Sequence, residues 1–225
     1  MLTTPVRWVR WLTAITPPTT RRVALATAGV ALIGATIAGP VGALGAGPEA
    51  QAPRPPSAME LTVDYQAQPN FYYCGPAATR IALSADGAAP SQDDVATELG
   101  TTTAGTNSAE DTTRVLNELG HTGDYRTTAI PESVATPAQM DRMQSDITAA
   151  VADQRPVVVN IIGTAVDTDG TPHSYDGGHY LTVVGYSDDG RTVTIADPAN
   201  VNGQSSYTMT TINLANWAAS RGYSA

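Results

Sequence analysis

The sequence predicts one α+β domain in which helices come first and an antiparallel sheet follows. Apolar residues at helical spacing recur between residues 72 and 153, β-branched runs replace them after Pro156, and residues 61–225 have about the length of one domain. This order, helices and then strands, is typical of α+β rather than alternating architectures.

Four helices are expected in the first half of this domain. The first carries Pro76 in its opening turn, where a missing N–H is tolerated because first-turn N–H groups have no intrahelical partner. Ser91 precedes the second, and glycines follow the second and third as stop signals. The predicted helices are 72–85, 92–99, 108–119 and 137–153.

Strands are expected mainly in the second half. The β-branched run 157–162 has the composition of a buried strand. The polar stretch 163–178 is interpreted as a loop. The other predicted strands are 61–65, 179–186, 192–196 and 206–214.

Residues 1–52 carry the features of an export signal. Four Arg residues within the first 22 precede an uncharged apolar stretch, 23–44, and a small-residue segment ends at Ala52, a plausible cleavage site. The pair Arg21-Arg22 resembles a twin-arginine signal. The alternative is an uncleaved anchor, since the uncharged stretch could span a bilayer. Both readings place the following domain outside the cytoplasm, secreted or at the cell surface.

The exported part is strongly acidic. Residues 53–225 contain 8 Arg and 20 Asp or Glu, a formal charge of −12, which argues against binding to nucleic acid or an anionic membrane surface. A single Cys excludes a disulfide framework, a multi-Cys zinc site and an iron–sulfur cluster, and three His leave little for a metal site. We therefore predict no cofactor. We assign 53–60 to a linker and 61–225 to the domain, and expect a monomer without an inhibitory pro-segment.

The only Cys lies at the start of the first predicted helix, within Asn70-Phe71-Tyr72-Tyr73-Cys74-Gly75-Pro76-Ala77-Ala78. A lone Cys in an exported protein is a buried structural residue, an intermolecular link or a reactive thiol. Its position favours the last of these, because the helix dipole and free N–H groups lower the pKa of a thiol at a helix N-terminus. A thiolate is the nucleophile that acyl transfer needs.

His179 is the best candidate for the general base. His121 follows a helix end and His173 lies in a polar stretch, whereas His179 opens a strand after two glycines that leave room for a substrate backbone. The alternative is a structural His at a strand end.

The hairpin after His179 brings Asp197 behind the imidazole. We interpret Asp188-Asp189-Gly190 as a three-residue turn, which sets Leu181 opposite Asp197. His179 and Asp197 then share one face of the sheet, a diagonal step of roughly 7–8 Å apart. The carboxylate can therefore fix the imidazole tautomer. A turn-forming role for Asp197 is the alternative, and a two-residue turn would break the shared face.

Gln68, six residues before Cys74, is the candidate oxyanion donor. A side-chain amide ahead of the helix that carries the nucleophile could point at a developing oxyanion. Gln66 competes for this role, and a surface position is the alternative for either residue.

Together these motifs resemble the C39-like cysteine peptidases. The pieces are Gln68, Cys74-Gly75-Pro76-Ala77-Ala78, Gly178-His179-Tyr180 and Asp197-Pro198, in the order of that family and within residues 61–223. The resemblance implies a papain-like fold, related to the leader-peptidase domains of certain ABC exporters. It implies Cys74 as nucleophile, His179 as base, Asp197 as orienting residue and Gln68 as oxyanion donor. Those exporter domains act in the cytoplasm beside a transporter, so their leader substrate is not carried over to a domain that is expected to be exported.

We therefore expect an exported cysteine peptidase that acts on a peptide or protein substrate. Two alternatives remain, a non-catalytic binding module on the same fold and a thiol-dependent acyltransferase that uses the same residues. The walls of the substrate pocket are expected from residues 101–108 and 163–177.

Overall fold

The computed structural model describes residues 55–87 and 90–225, and the predicted export signal lies outside them. Within these residues, five α-helices are formed by Cys74–Leu83 (α1), Gln92–Leu99 (α2), Ala109–Leu119 (α3), Pro137–Ala152 (α4) and Thr211–Trp217 (α5). The strands are Met59–Glu60 (β1), Thr127–Ile130 (β2), Val157–Val166 (β3), Pro172–Ser187 (β4), Thr192–Ala196 (β5), Ser206–Thr210 (β6) and Arg221–Ser224 (β7). No helix of this described part is long and apolar enough to cross a bilayer.

The strands form one antiparallel sheet with helices on both faces. Its order is β2-β7-β3-β4-β5-β6, and β1 pairs with the far end of β4. Side chains alternate along β3, so Val157 and Val159 pack against α4 and α5 while Val158 packs against α1, α2 and α3. The strands therefore have a buried core on each side, and the α+β class predicted from the sequence is confirmed.

Local capping chemistry explains where two of the predicted helices, α2 and α4, begin. The Ser91 side chain accepts from the backbone N–H of Asp94, and the Asp94 carboxylate accepts in return from Ser91, a reciprocal cap at the start of α2. Thr136 and Gln139 form the same arrangement at the start of α4. Gly100 ends α2 with φ +64°, a left-handed conformation that suits glycine. Caps of this kind contribute about 1 kcal/mol each.

The stretch 163–178 is a β-hairpin, and its interpretation as a loop was wrong. β3 continues to Val166 and β4 begins at Pro172. Much of this hairpin is solvent-exposed, and its strands are joined through pairs such as the hydroxyls of Thr164 and Ser174, 2.8 Å apart. The half-buried face of this hairpin carries His173 and Tyr175 beside Ala165, so it shows little of the apolar alternation by which a strand is predicted.

Two other strand predictions need correction. The expected strand 206–214 ends at Thr210, because the Thr210 hydroxyl accepts from the N–H of Asn213 and caps α5. The expected strand 61–65 is replaced by Met59–Glu60, which lies within the segment assigned to a linker. The sequence analysis also did not identify β2, β7 or α5, which are short.

Candidate active site

Cys74 is the first residue of α1 and lies at the floor of a cleft of about 530 Å³. We use "the cleft" for the cavity lined by Phe71, Tyr72, Cys74, residues 103–107, Asn160, residues 177–180 and Arg221. The thiol is largely buried and forms no disulfide. The helix thus presents its N-terminal, partly positive end to the cleft, an environment that favours a thiolate.

Gly75 lets one wall of the cleft approach the helix. A Cβ at this position would stand 2.8 Å from the Cβ of Thr106. The Thr106 hydroxyl is in turn 2.8 Å from that of Thr101, at the base of the same loop. The absence of a side chain at Gly75 therefore allows the loop 101–108 to rest on the start of α1, beside the nucleophile.

His179 connects the thiol to a buried carboxylate. Its Nε2 lies 2.7 Å from Oδ1 of Asp197, and only 4 % of His179 and 1 % of Asp197 are exposed. His179 and Cys74 line the same cleft, and hydrogen bonding and charge couple the two groups. The structure therefore brings Cys74, His179 and Asp197 together at the cleft.

The two reacting groups shift each other's pKa. Burial by itself raises the pKa of the Cys74 thiol, but the hydrogen bond and the charge of His179, with backbone hydrogen bonds from Tyr180 and Gly75, outweigh burial and lower that pKa. Burial likewise opposes the charge on His179, yet the contacts with Asp197 and Cys74 raise the pKa of its imidazole to about 9. Opposite shifts of this kind favour a thiolate–imidazolium ion pair at neutral pH.

The carboxylate of Asp197 is fully occupied by hydrogen bonds. Oδ1 faces His179 and accepts from the N–H of Ala199, while Oδ2 accepts from the hydroxyls of Tyr175 and Tyr207, all at 2.7–2.9 Å. Burial raises the pKa of Asp197, but the bond and charge of His179, with the Ala199 and Tyr207 donors, bring it below its ordinary value. Asp197 is thus held ionised and fixed in orientation.

Tyr175 holds both partners of the His–Asp pair. Its ring stacks on the His179 ring with centroids 4.0 Å apart and planes inclined by 16°, while its hydroxyl is 2.8 Å from Asp197 Oδ2. Four residues along a regular strand would separate these side chains by roughly 13 Å. A bulge in β4, where residues 176–178 face Ile162 alone, folds the strand so that the two rings meet.

His173 and His121 lie apart from the thiol. His173 is in β4 rather than in a loop, and its Nε2 is 3.0 Å from the buried Asp167. Its ring stacks on Tyr207 at 3.8 Å. His121 is exposed and has φ +50°. Neither residue lines the cleft.

His179 and Asp197 share one face of the sheet because two shifts of the β4–β5 register away from the predicted pairing cancel each other. Ser187 pairs with Thr192, not with Arg191 as a three-residue turn requires, so the register next to the turn is shifted by one residue. A bulge at Val184 then shifts it back. Thr182 pairs with Ala196, and continuing by one residue puts Leu181 opposite Asp197 as predicted.

Gln68 is half-buried, and its backbone is tied to the strand end that carries Asp197. Its N–H donates to the carbonyl of Pro198 at 2.9 Å, and its side-chain Nε2 donates to the carbonyl of Asn70 at 2.8 Å. Gln66 is exposed, and neither Gln lines the cleft. Its contacts thus place Gln68 between the end of β5 and the start of α1.

The cleft walls differ in part from expectation. The loop 101–108 contributes residues 103–107, but only Gly177 comes from the stretch 163–177. Asn160 and Arg221 line the cleft from β3 and β7, and the sequence analysis missed both because nothing local joins them to the motifs. Alternation along the predicted strand 206–214 could have identified Tyr207. Among the described residues, no group of three or more His, Cys, Asp or Glu could hold a metal ion.

A family model matches most of the chain. The model of the Peptidase C39-like family covers residues 60–225. The chain belongs to this family. A C39-like peptidase of this kind has a papain-like fold, so the fold expected from the motifs is confirmed.

Solved structures of similar fold are remote in sequence. The peptidase domain of Streptococcus ComA, a bi-functional ABC transporter, is 19% identical, with a TM-score of 0.46 and coverage of 72% of this chain and 96% of that one. A candidate C39-like peptidase from Bacillus anthracis is 13% identical (TM-score 0.49, coverage 74% and 96%). Xylellain, a cysteine protease from Xylella fastidiosa, is 15% identical (TM-score 0.44, coverage 76% and 86%). Comparison with curated protein sequences found no match.

Proposed function

We propose that this C39-like protein is an exported cysteine peptidase with Cys74 as nucleophile, His179 as general base and acid, and Asp197 as orienting residue. One observation carries the proposal: a thiol at a helix N-terminus shares the cleft with an imidazole whose Nε2 is 2.7 Å from a buried carboxylate. Nucleophile, base and orienting group in this order form the arrangement that activates a thiol for acyl transfer.

The reaction begins from the thiolate–imidazolium pair. The Cys74 thiolate attacks the carbonyl carbon of a peptide bond, and the negative charge passes to the carbonyl oxygen. His179 gives its proton to the departing amine as the C–N bond breaks, which leaves a thioester on Cys74. His179 then takes a proton from water, the hydroxide attacks the thioester, and the carboxylic acid and the thiol separate.

Gln68 is proposed as an oxyanion donor. Its Nε2 carries two hydrogens, and the bond to Asn70 uses one of them. The backbone bond from Gln68 to Pro198 supports this role, because it ties the donor to the strand end that orients the base. The N–H of Cys74 at the start of α1 would be the second donor.

A binding module on the same fold is the weaker alternative. A binding role needs no charged thiol, whereas burial of Cys74 opposes the thiolate and the contact with His179 overcomes it. Acyl transfer to an amine would use the same residues, and nothing in the cleft favours an amine over water.

Digestion of a peptide library tests the peptidase proposal. We expect cleavage by the wild type and by His173→Ala, and none by Cys74→Ala or His179→Ala, with circular dichroism spectra unchanged. His173→Ala is the matched control because His173 is also paired with a buried Asp but lies outside the cleft. Cleavage by Cys74→Ala equal to the wild type would refute the nucleophile. Transfer of the acyl group to added hydroxylamine in preference to water would favour acyl transfer.

Export is a separate proposal, motivated by the Arg-rich start, the uncharged stretch and the small-residue segment that ends at Ala52. We expect the protein recovered outside the cell to begin near Pro53 by N-terminal sequencing. An intact N-terminus in the membrane fraction would support the anchor alternative, and the same N-terminus in the cytoplasm would refute export.

A further inference from the structure

We infer that Arg221 forms a subsite for a substrate carboxylate, so that the peptidase prefers peptides with an acidic group near the cleaved bond. The inference rests on the proposed function, since it assigns a substrate class to the same cleft. Arg221 lies outside the Cys–His–Asp set and is the first residue of strand β7.

Arg221 reaches the cleft beside the residue that precedes the base. β7 pairs with β3, where Gly222 lies opposite Asn160, another residue of the cleft. The guanidinium Nη2 lies 3.7 Å from the point where Gly178 would carry a Cβ. Because Gly178 has no side chain, the cation is open to a peptide lying across His179.

The guanidinium of Arg221 has no protein partner in the part of the chain that the structure describes. Seven Arg residues are described there. Five of them form salt bridges with Asp or Glu: Arg80, Arg114, Arg142, Arg155 and Arg191. Arg126 donates to backbone carbonyl groups. Arg221 alone has neither kind of partner among the described residues, and it is the one that lines the cleft.

Nearby acidic residues do not neutralise it directly. The charges of Glu110, Asp111 and Arg221 all act on the hydroxyl of Tyr180, a residue of the cleft. The Asp111 carboxylate accepts a hydrogen bond from the Ser108 hydroxyl and lies 3.9 Å from the Arg114 guanidinium. The carboxylates of Glu110 and Asp111 both lie more than 4 Å from the guanidinium of Arg221. None of the described Asp or Glu residues lines the cleft itself. The strongly acidic domain would repel a polyanion, which leaves a single carboxylate as the fitting ligand.

The expected gain in kcat/KM for an acidic substrate is that of one charge-assisted hydrogen bond to Arg221. A guanidinium binds a carboxylate through two parallel N–H donors, and neutral amides lack this geometry. Such a bond changes kcat/KM by roughly 10- to 100-fold between an acidic substrate and its amide isostere. The carboxylate could come from an Asp or Glu side chain or from the free C-terminus of a short peptide.

Matched peptides separate these sources. Peptides with Glu or Gln at each position around the cleaved bond are prepared with free and with amidated C-termini. Wild type should prefer one Glu peptide, or one free C-terminus, by about 10- to 100-fold, and Arg221→Gln should lose that preference. Arg191→Gln is the control, since Arg191 is an exposed cation paired with Asp188 outside the cleft, and it should keep the preference. Equal cleavage of all matched pairs by the wild type, or a preference that survives in Arg221→Gln, would overturn the subsite.

A binding measurement keeps the two proposals distinguishable. Fluorescence anisotropy with the same peptides compares Cys74→Ala with Cys74→Ala/Arg221→Gln. If the wild type cleaves nothing, the peptidase proposal fails, while a Glu preference that is present in the first variant and lost in the second still supports the Arg221 subsite. Equal affinities for Glu and Gln peptides in Cys74→Ala would refute it.

Discussion

Removal of His179 should abolish the reactivity of Cys74 toward alkylating reagents at acid pH. In the wild type the imidazolium lowers the pKa of the thiol against the effect of burial. In His179→Ala burial is opposed only by the backbone hydrogen bonds of Tyr180 and Gly75, so the pKa of the thiol rises. Loss of the hydrogen bond and the charge of His179 therefore reduces the thiolate population of Cys74 at a given acid pH.

The size of the fall in alkylation rate follows from two quantities, the thiolate population of Cys74 and the nucleophilicity of the thiolate. An ordinary thiol with pKa ~8.5 is about 0.3% thiolate at pH 6, and buried Cys74 without His179 should have less. Each unit of pKa changes the thiolate population tenfold, but nucleophilicity changes roughly threefold in the opposite direction. The net effect is about threefold per unit, so we expect alkylation at pH 6 to fall by about tenfold or more in His179→Ala.

The assay is the rate of iodoacetamide labelling between pH 4 and pH 10, followed by mass spectrometry. The sign of the pH dependence is fixed by the pKa of His179, which is raised to about 9. The ion pair persists from the lowered pKa of the thiol up to about pH 9. Above that pH the labelling rates of the wild type and His179→Ala should converge. His173→Ala should follow the wild type, and Asp197→Asn should lie between the wild type and His179→Ala. Coincident profiles for wild type and His179→Ala would refute the ion pair.

Three further predictions concern residues around the pair. Tyr175→Phe should lower kcat/KM by roughly 10-fold because Asp197 loses one charged hydrogen bond. Tyr175→Leu should lower kcat/KM further because the stacked ring is also lost. Kinetics equal to wild type for both variants would contradict a positioning role for Tyr175. Gly75→Ala should lower the free energy of unfolding by about 1–3 kcal/mol through overpacking against Thr106, with partial recovery in Gly75→Ala/Thr106→Gly, measured by urea denaturation. Gln68→Ala should reduce kcat by roughly 10²–10³ while Gln66→Ala does not, and the reverse pattern would move the oxyanion role to Gln66.

Much of the helical half could be predicted from the sequence because its signals are local. The residues that cap α2, Ser91 with Gly100, lie next to the helix ends they set. The capping box at Thr136 acts in the same way on α4. Cys74 at the start of α1 follows from the same reasoning, since a helix end is determined by the few residues around it.

The register that aligns His179 with Asp197 depends on both the turn and a bulge farther along the strand. Turn chemistry alone predicted that the two share a face, and they do, but only because the bulge at Val184 compensates for the longer turn. A bulge is decided by how the whole strand packs against its neighbours, and neither the residue types nor their spacing mark it.

The sequence by itself determined the fold class, most helix ends and the identity of the Cys, His and Asp that meet. Only the tertiary structure decided that Tyr175 stacks on His179 and that Arg221 enters the cleft. The first depends on a bulge in β4. The second depends on the pairing of β7 with β3, in which Gly222 lies opposite Asn160, 62 residues earlier in the chain. Capping and periodicity act within a few residues, whereas strand pairing is chosen by burial of the entire sheet, so contacts made by pairing cannot be derived from any single segment.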